Sequence, residues 1–164
     1  MTYDEAKNFI RDLVDKILGV TTIFENENGP RPKLPYATVQ VTSTSKNGYD
    51  DKEIIAGDIK HSGERYLSID IQYYGIDAMG RLSTLRNQFN TETITNECFT
   101  SGISIYDTSE VNDITQLLEN QKYEERAQID LFVSYPESFI ESPGYFENVE
   151  ATGTIESIDL NVNI

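Results

Sequence analysis

Tryptophan is absent from these 164 residues, and cysteine and histidine occur once each, as Cys98 and His61. A lone cysteine excludes an internal disulfide and fits a reducing compartment. His61 has no cysteine or second histidine near it at metal-ligand spacing. In the polar stretch Lys60-His61-Ser62-Gly63 it reads as an exposed turn histidine, in preference to half of a Cys–His nucleophile pair. Cations are also scarce: Lys+Arg total 13 against 28 Asp+Glu, a net charge of −15. Phosphate binding needs a basic footprint, so duplex binding is disfavoured. Anionic membranes are disfavoured for the same reason. Such a charge favours solubility and mutual repulsion, and a protein this acidic can still sit beside DNA only where its task is to avoid sticking to it. No run approaches the roughly twenty apolar residues of a membrane span. The start, MTYDEAKNF, lacks the basic and apolar regions of a signal peptide, so a cytoplasmic product is expected.

Catalytic signatures are missing too. There is no nucleophile elbow, phosphate-cradling glycine loop, HExxH or CxxC. Carboxylates are plentiful enough for a paired-acid hydrolase, but no tryptophan offers a sugar platform. Glu124 and Glu125 are adjacent in a strand pattern and fall on opposite faces, so they cannot share a site. The acidic residues read as a solvated surface. No catalytic residue, metal or cofactor is expected.

The chain does hold strong periodicity. YEERAQIDLFVSY, at 123–135, alternates over more than the usual strand length of roughly five or six residues. Ala127, Ile129, Leu131, Val133 and Tyr135 form one face; Arg126, Gln128, Asp130 and Ser134 lie on the other. This predicts a long antiparallel strand with one face on a core. Glu125 sits on the apolar side, and predicts that this end projects beyond the core.

At the N-terminus, Thr2 and Glu5 have capping-box spacing. Ala6, Phe9, Ile10, Leu13, Val14, Ile17 and Leu18 then recur at helical spacing, and Gly19 supplies a stop. A helix is expected over 2–18, its stripe packed on a sheet. Residues 25–32 read as a solvated loop. Residues 36–45 alternate, Asn47-Gly48 signals a tight turn, and 49–60 supply the second arm of a protruding hairpin. Ser62-Gly63 turns the chain into a strand over 66–74, with Leu67, Ile69, Ile71 and Tyr73 inward. Asp77 is placed to N-cap a helix over 77–90. Residues 87–100 read as a loop or short helix, 103–106 as a short strand, and 111–118 are ambiguous. Pro136 ends the long strand, leaving a loop over 137–147 rich in Phe139, Ile140, Tyr145 and Phe146. Ile158, Leu160, Val162 and Ile164 alternate at the C-terminus, and such a strand needs a sheet edge, its own or a neighbour's. The expected fold is α+β: a mainly antiparallel sheet, an N-terminal amphipathic helix and a second helix on one face, and a protruding hairpin. One domain over 1–164 is expected.

Four segments together carry a resemblance. LSIDIQYYGIDA, at 67–78, is a strand ending in Tyr-Gly that enters a helix. Pro32-Lys33-Leu34-Pro35-Tyr36 precedes it. Ile105-Tyr106-Asp107 and then Gln121-Lys122-Tyr123-Glu124-Glu125-Arg126 follow. In this order and spacing they resemble the phage neck terminator, tail terminator-like family, with Ala127 standing where an aromatic is frequent. The resemblance implies a non-enzymatic virion protein, assembled in the host cytoplasm. It implies a ring, commonly a hexamer, at the head-proximal end of the tail. Its implied partners are other copies of itself, the tail tube protein and the head-completion or connector protein, with DNA passing through the lumen. The side chains expected at subunit or partner contacts are Tyr36, Tyr74, Asp107, Tyr123, Glu124, Arg126, Tyr145, Phe146, Leu160 and Val162. Arg126 is expected in a cross-strand or intersubunit ion pair. The readings of another class are a monomeric acidic adaptor or immunity-type binding protein for a basic partner, and a small hydrolase using Asp/Glu pairs.

Overall fold

The computed structural model of the chain describes residues 1–118 and 122–144. Helix α1 (Tyr3–Leu18) begins with both halves of the capping box: Thr2 N–H donates to Glu5 Oε2 at 2.7 Å, and Glu5 N–H to Thr2 Oγ1 at 3.3 Å. Gly19, at φ 65°, ends the helix in the left-handed conformation. Ala6, Ile10, Leu13, Val14 and Leu18 are buried.

The strands are β1 (Thr21–Phe24), β2 (Tyr36–Lys46), β3 (Asp51–Ile55), β4 (Asp58–Tyr74), β5 (Ser104–Thr108), β6 (Asn112–Asp113), β7 (Gln116–Leu117), β8 (Tyr123–Glu124) and β9 (Arg126–Glu141). Between β4 and β5 lie α2 (Ala78–Phe89) and α3 (Glu92–Thr100). The main sheet runs β1-β2-β4-β9-β5, with β3 extending along β4 and β6 along β9. β1 and β2 are parallel and the other pairs antiparallel, so the architecture is α+β with a mostly antiparallel sheet. Alternation places Ala37 and Val39, Leu67, Ile69, Ile71 and Tyr73, and Ala127, Ile129, Leu131 and Val133 in one buried cluster with the helix stripes. Each of the buried Val, Leu and Ile side chains contributes about 1.5–3 kcal/mol over leaving it in water.

Several expectations are corrected. Asn47-Gly48 does not reverse the chain. Lys46 pairs with Arg65 and Asp51 with Ser62, so residues 47–50 bulge opposite residues 63 and 64 while β2 and β3 follow β4 in one direction. The reversal comes at Ala56 (φ 52°) and Gly57 (φ 95°), both positive, as a primed two-residue turn requires. Ser62-Gly63 is strand interior, not a turn. Pro136 does not end β9, which continues to Glu141 and keeps register with β4 down to Ile59. β5 has ended by Pro136, so β9 is an edge there and no ladder partner needs the missing N–H. The expected strand over 123–135 is interrupted at Glu125, where β8 turns away to pair with β7. Of the two readings for 87–100, a loop or a short helix, the helix holds over Glu92–Thr100, as α3. Tyr145, Phe146 and the C-terminal pattern with Leu160 and Val162 lie outside the described residues.

The result is a three-stranded arm made of β3, the start of β4 and the end of β9. Its base is held by charge. Arg65 donates from Nη1 and Nη2 to the Asp50 carboxylate at 2.7 and 3.1 Å, and from Nε to Glu137 at 2.9 Å. Lys46 Nζ donates to Asp50 at 3.0 Å. Hydrogen bonds from Arg65 and then Lys46 hold the Asp50 carboxyl down at about 2. Gly63 lies beneath, and a Cβ there would overlap the Asp50 carboxylate. His61 is buried in the arm rather than exposed on a turn. It stacks on Phe139 at 4.6 Å, with Nε2 2.7 Å from Glu141 Oε2. Cys98 is in the α3 core cluster, and burial pushes its thiol up to about 11, which disarms it as a nucleophile.

Candidate assembly site

Three of the four segments singled out in the sequence meet at the end of the sheet opposite the arm. Antiparallel pairing sets Tyr36 beside Tyr74, and Tyr74 beside Arg126. All three project from the face away from the helices, since their neighbours Ala37, Tyr73 and Ala127 fill the core. The rings of Tyr36 and Tyr74 stack with centroids 4.5 Å apart and planes 5° apart. Arg31 lies 5.4 Å from the Tyr36 ring and 5.5 Å from that of Tyr74, and Arg126 lies 5.1 Å from the Tyr74 ring. The guanidiniums thus sit where the ring quadrupole attracts cations.

Glu124 locks the group. Its Oε1 accepts from Arg31 Nη2 at 2.5 Å and from Arg126 Nε at 2.7 Å. Arg31 Nε also donates to the Tyr36 hydroxyl at 2.7 Å, and Arg126 Nη1 to Gln116 at 2.7 Å. Burial of the Glu124 carboxyl pushes its pKa up. The hydrogen bonds from Arg31 and Arg126 outweigh that, leaving it below the usual carboxylate range. Glu124 in turn raises the Arg31 pKa. One carboxylate and two guanidiniums therefore pin the 25–35 loop and β8 onto the open face of the sheet. Arg126 pairs within the chain, with a residue two positions back.

Glu125 secures the neighbouring turn. Its carbonyl accepts from Gly75 N–H at 3.0 Å and its carboxylate from Asp77 N–H at 2.7 Å. It is exposed at the break between β8 and β9, instead of facing inward at a projecting strand end. Asp77 is also corrected: it takes φ 61° and makes no side-chain cap, so the amide it offers Glu125 is the contact that fixes the entry to α2. Gly75 runs at φ 143°, and a Cβ there would lie 2.9 Å from Pro35 Cβ. Glycine is thus required where the two segments cross.

Of the contact residues expected from sequence, Tyr36, Tyr74, Glu124 and Arg126 form this cluster. Tyr123 is next to it but 76 % exposed, opposite Leu117, which is also exposed. Asp107 is elsewhere, at a bulge in β5 on the far edge, with its carboxylate accepting from Thr108 N–H. Sequence reasoning missed Arg31, which sat in a loop read as solvated. The only available signal was the shortage of cations, which makes any arginine near an aromatic strand worth testing. It also missed the groove beside the cluster, about 550 Å³, whose walls include Leu34, Pro35, Gly75, Ile76 and Arg81.

The cluster carries no general base beside a nucleophile. Among the described residues no three of His, Cys, Asp and Glu are placed to hold a metal ion, and no helix is long and apolar enough to cross a membrane. Its chemistry is that of a joint: cation–π stacking and charge-assisted hydrogen bonds that rigidify one end of the sheet. No curated protein matches the chain. Residues 4–164 match the family described as phage neck terminator protein, and the chain belongs to it, with the structural role in the phage neck and tail that the family implies.

Proposed function

We propose that the whole chain, as one domain, assembles into a ring, a hexamer, at the head-proximal end of the tail. There it caps the tail tube and joins it to the head-completion protein, with assembly in the host cytoplasm. The observation that carries this reading is the family match over residues 4–164, joined to a structure in which three of the four segments that carry the resemblance meet in one ion-paired, stacked cluster. A net charge of −15 supports the passage of DNA, because an acidic lumen repels phosphates over about a Debye length and lets the genome slide.

The test is the native mass of the purified chain by light scattering, followed by negative-stain images with and without tail tubes. A closed ring, free or on tube ends, is expected. A strict monomer that leaves tube ends bare overturns the reading and favours an acidic adaptor, which would show salt-sensitive one-to-one binding to a basic partner.

A further inference from the structure

We propose that the open face of the sheet binds a calcium-type divalent cation between Asp70 on β4 and Asp130 on β9. The inference does not rest on the ring reading. It concerns a part of this face that the arginine–tyrosine cluster leaves free.

The register sets the two carboxylates together. Asp70 and Asp130 are direct partners in the antiparallel ladder. Their neighbours Ile69, Ile71, Ile129 and Leu131 fill the core, so both acids project from the face away from the helices. Partners on one face have Cβ atoms about 4.5–5.5 Å apart, and like charges so placed destabilise a sheet. No lysine or arginine answers them: neither acid has a cationic side chain within 4 Å among the described residues. Arg126, four residues back along β9, is committed to Glu124 and Gln116. Lys7, which borders Glu25 and Gln40 at the sheet edge, lies over the Phe24 ring at 4.2 Å.

Buried oxygens around the pair also lack partners. Asp70 is only 6 % exposed; its Oδ2 accepts from Gln128 Nε2, while its Oδ1 accepts from nothing among the described residues. Thr38, 5 % exposed on the same face of the adjoining strand β2, has an Oγ1 that is equally without a partner there. Buried polar atoms are nearly always satisfied, so two orphaned oxygens beside two carboxylates point to a ligand that brings positive charge and takes oxygen donors. Calcium does both. It accepts about six to eight oxygens from carboxylates, amide carbonyls and water at about 2.3–2.6 Å, in a flexible shell. Gln40 faces Asp70 from β2, and Gln72 faces Gln128 in the next row. Each amide has a carbonyl oxygen to turn toward the ion, so the site needs no third acid. Magnesium demands a near-ideal octahedron, which this set of side chains on a sheet face does not provide.

The test uses the purified full chain, in whatever assembly it adopts, and Ca²⁺ alone as the probe. Titration calorimetry should show one saturable site per chain with a Kd on the order of 10⁻⁴–10⁻³ M. In about 10 mM CaCl₂ the Tm should rise by about 3–10 °C over a NaCl control of equal ionic strength. Asp70→Asn and Asp130→Asn keep the side-chain shape and should each weaken binding at least ~10-fold. Glu53→Gln removes the same charge from the exposed strand β3 and should leave binding unchanged. With a chelator in place of Ca²⁺, Asp70→Asn should melt above wild type, because a like-charge pair is gone; with Ca²⁺ the gap should close or reverse. The melts in chelator also show that the variants fold, and Asp130→Asn carries the test should Asp70→Asn fail to. No saturable binding, a Tm gain that NaCl reproduces, or an equal loss in Glu53→Gln overturns the site as mere charge screening. Binding that survives in the folded Asp70 and Asp130 variants, or that is tighter for Mg²⁺ than for Ca²⁺, also overturns the proposal.

Discussion

Replacing Glu124 by alanine should cost more than any other change on the open face of the sheet. The carboxylate accepts from two guanidiniums, and hydrogen bonds to charged groups are worth about 1.5–3 kcal/mol each. Stripping the partner from a fully buried ion pair costs about 3–5 kcal/mol. Here the loss is softened. Arg31 is 47 % exposed and can rehydrate, and Arg126 keeps Gln116. A net loss of about 2–3 kcal/mol follows, which at roughly 2–4 °C per kcal/mol for a domain of this size lowers the Tm by about 5–10 °C. Glu124→Gln keeps one acceptor and loses the charge, so about half that loss is expected. Reversible thermal melts measure both, and a double-mutant cycle with Arg31→Ala should give a coupling of about 1 kcal/mol or more. The pH dependence has a definite sign. The carboxyl is held below the usual range, so its contribution is present above that range and is lost as pH falls through the lowered value. The gap between wild type and Glu124→Gln should therefore narrow in acid. If both substitutions cost under about 0.5 kcal/mol, or the cycle is additive, the joint is an accident of side-chain placement and the reasoning fails.

Asp50, held at about 2 by Arg65 and Lys46, stabilises the arm base fully above the usual carboxylate range and releases it as pH drops from there through about 2. Amide exchange over residues 58–62 should accelerate in that window, and Asp50→Asn should abolish the acid dependence. Gly75→Ala should cost about 1–3 kcal/mol in a thermal melt, from the strained φ and the contact with Pro35, and an unchanged Tm would reject the close crossing. Asp70 behaves in the opposite sense. Burial first, and then Asp130 directly across the ladder, raise its pKa. Its charge therefore weighs on the fold once pH has risen through the raised value. Asp70→Asn should raise the Tm at neutral pH by about 2–4 °C, roughly 1 kcal/mol, with the advantage fading in acid. A destabilised Asn variant would show instead that the carboxylate is needed.

What was legible in the sequence was whatever local chemistry decides. The Thr2–Glu5 box, the stripe from Ala6 to Leu18 and the inward set Leu67, Ile69, Ile71 and Tyr73 depend only on spacing, and all three stand in the structure. What was illegible depended on neighbours that are distant in the chain. Pro136 breaks a strand only if that strand has a partner on its amide side, and β9 has none there. Asn47-Gly48 reverses a chain only if the flanking strands pair with each other, and here both pair with β4. His61 looks solvated until Phe139 arrives across the ladder. The candidate site was partly readable for the same reason. Tyr36, Tyr74, Glu124 and Arg126 came from segments whose order could be recognised, while the register that brings them together could not. Arg31 and the groove come from the packing of a loop against that register.

The unbroken register of β4 on β9, sixteen pairs from Ile59–Glu141 to Tyr74–Arg126, has a mechanical meaning. A pull between the arm tip and the opposite end of the sheet runs along these strands. It loads their hydrogen bonds side by side in shear, so none can fail until many are strained together. A pull across the strands would peel the same bonds one after another at far lower force. A subunit loaded along these strands therefore carries tension in its stiffest direction.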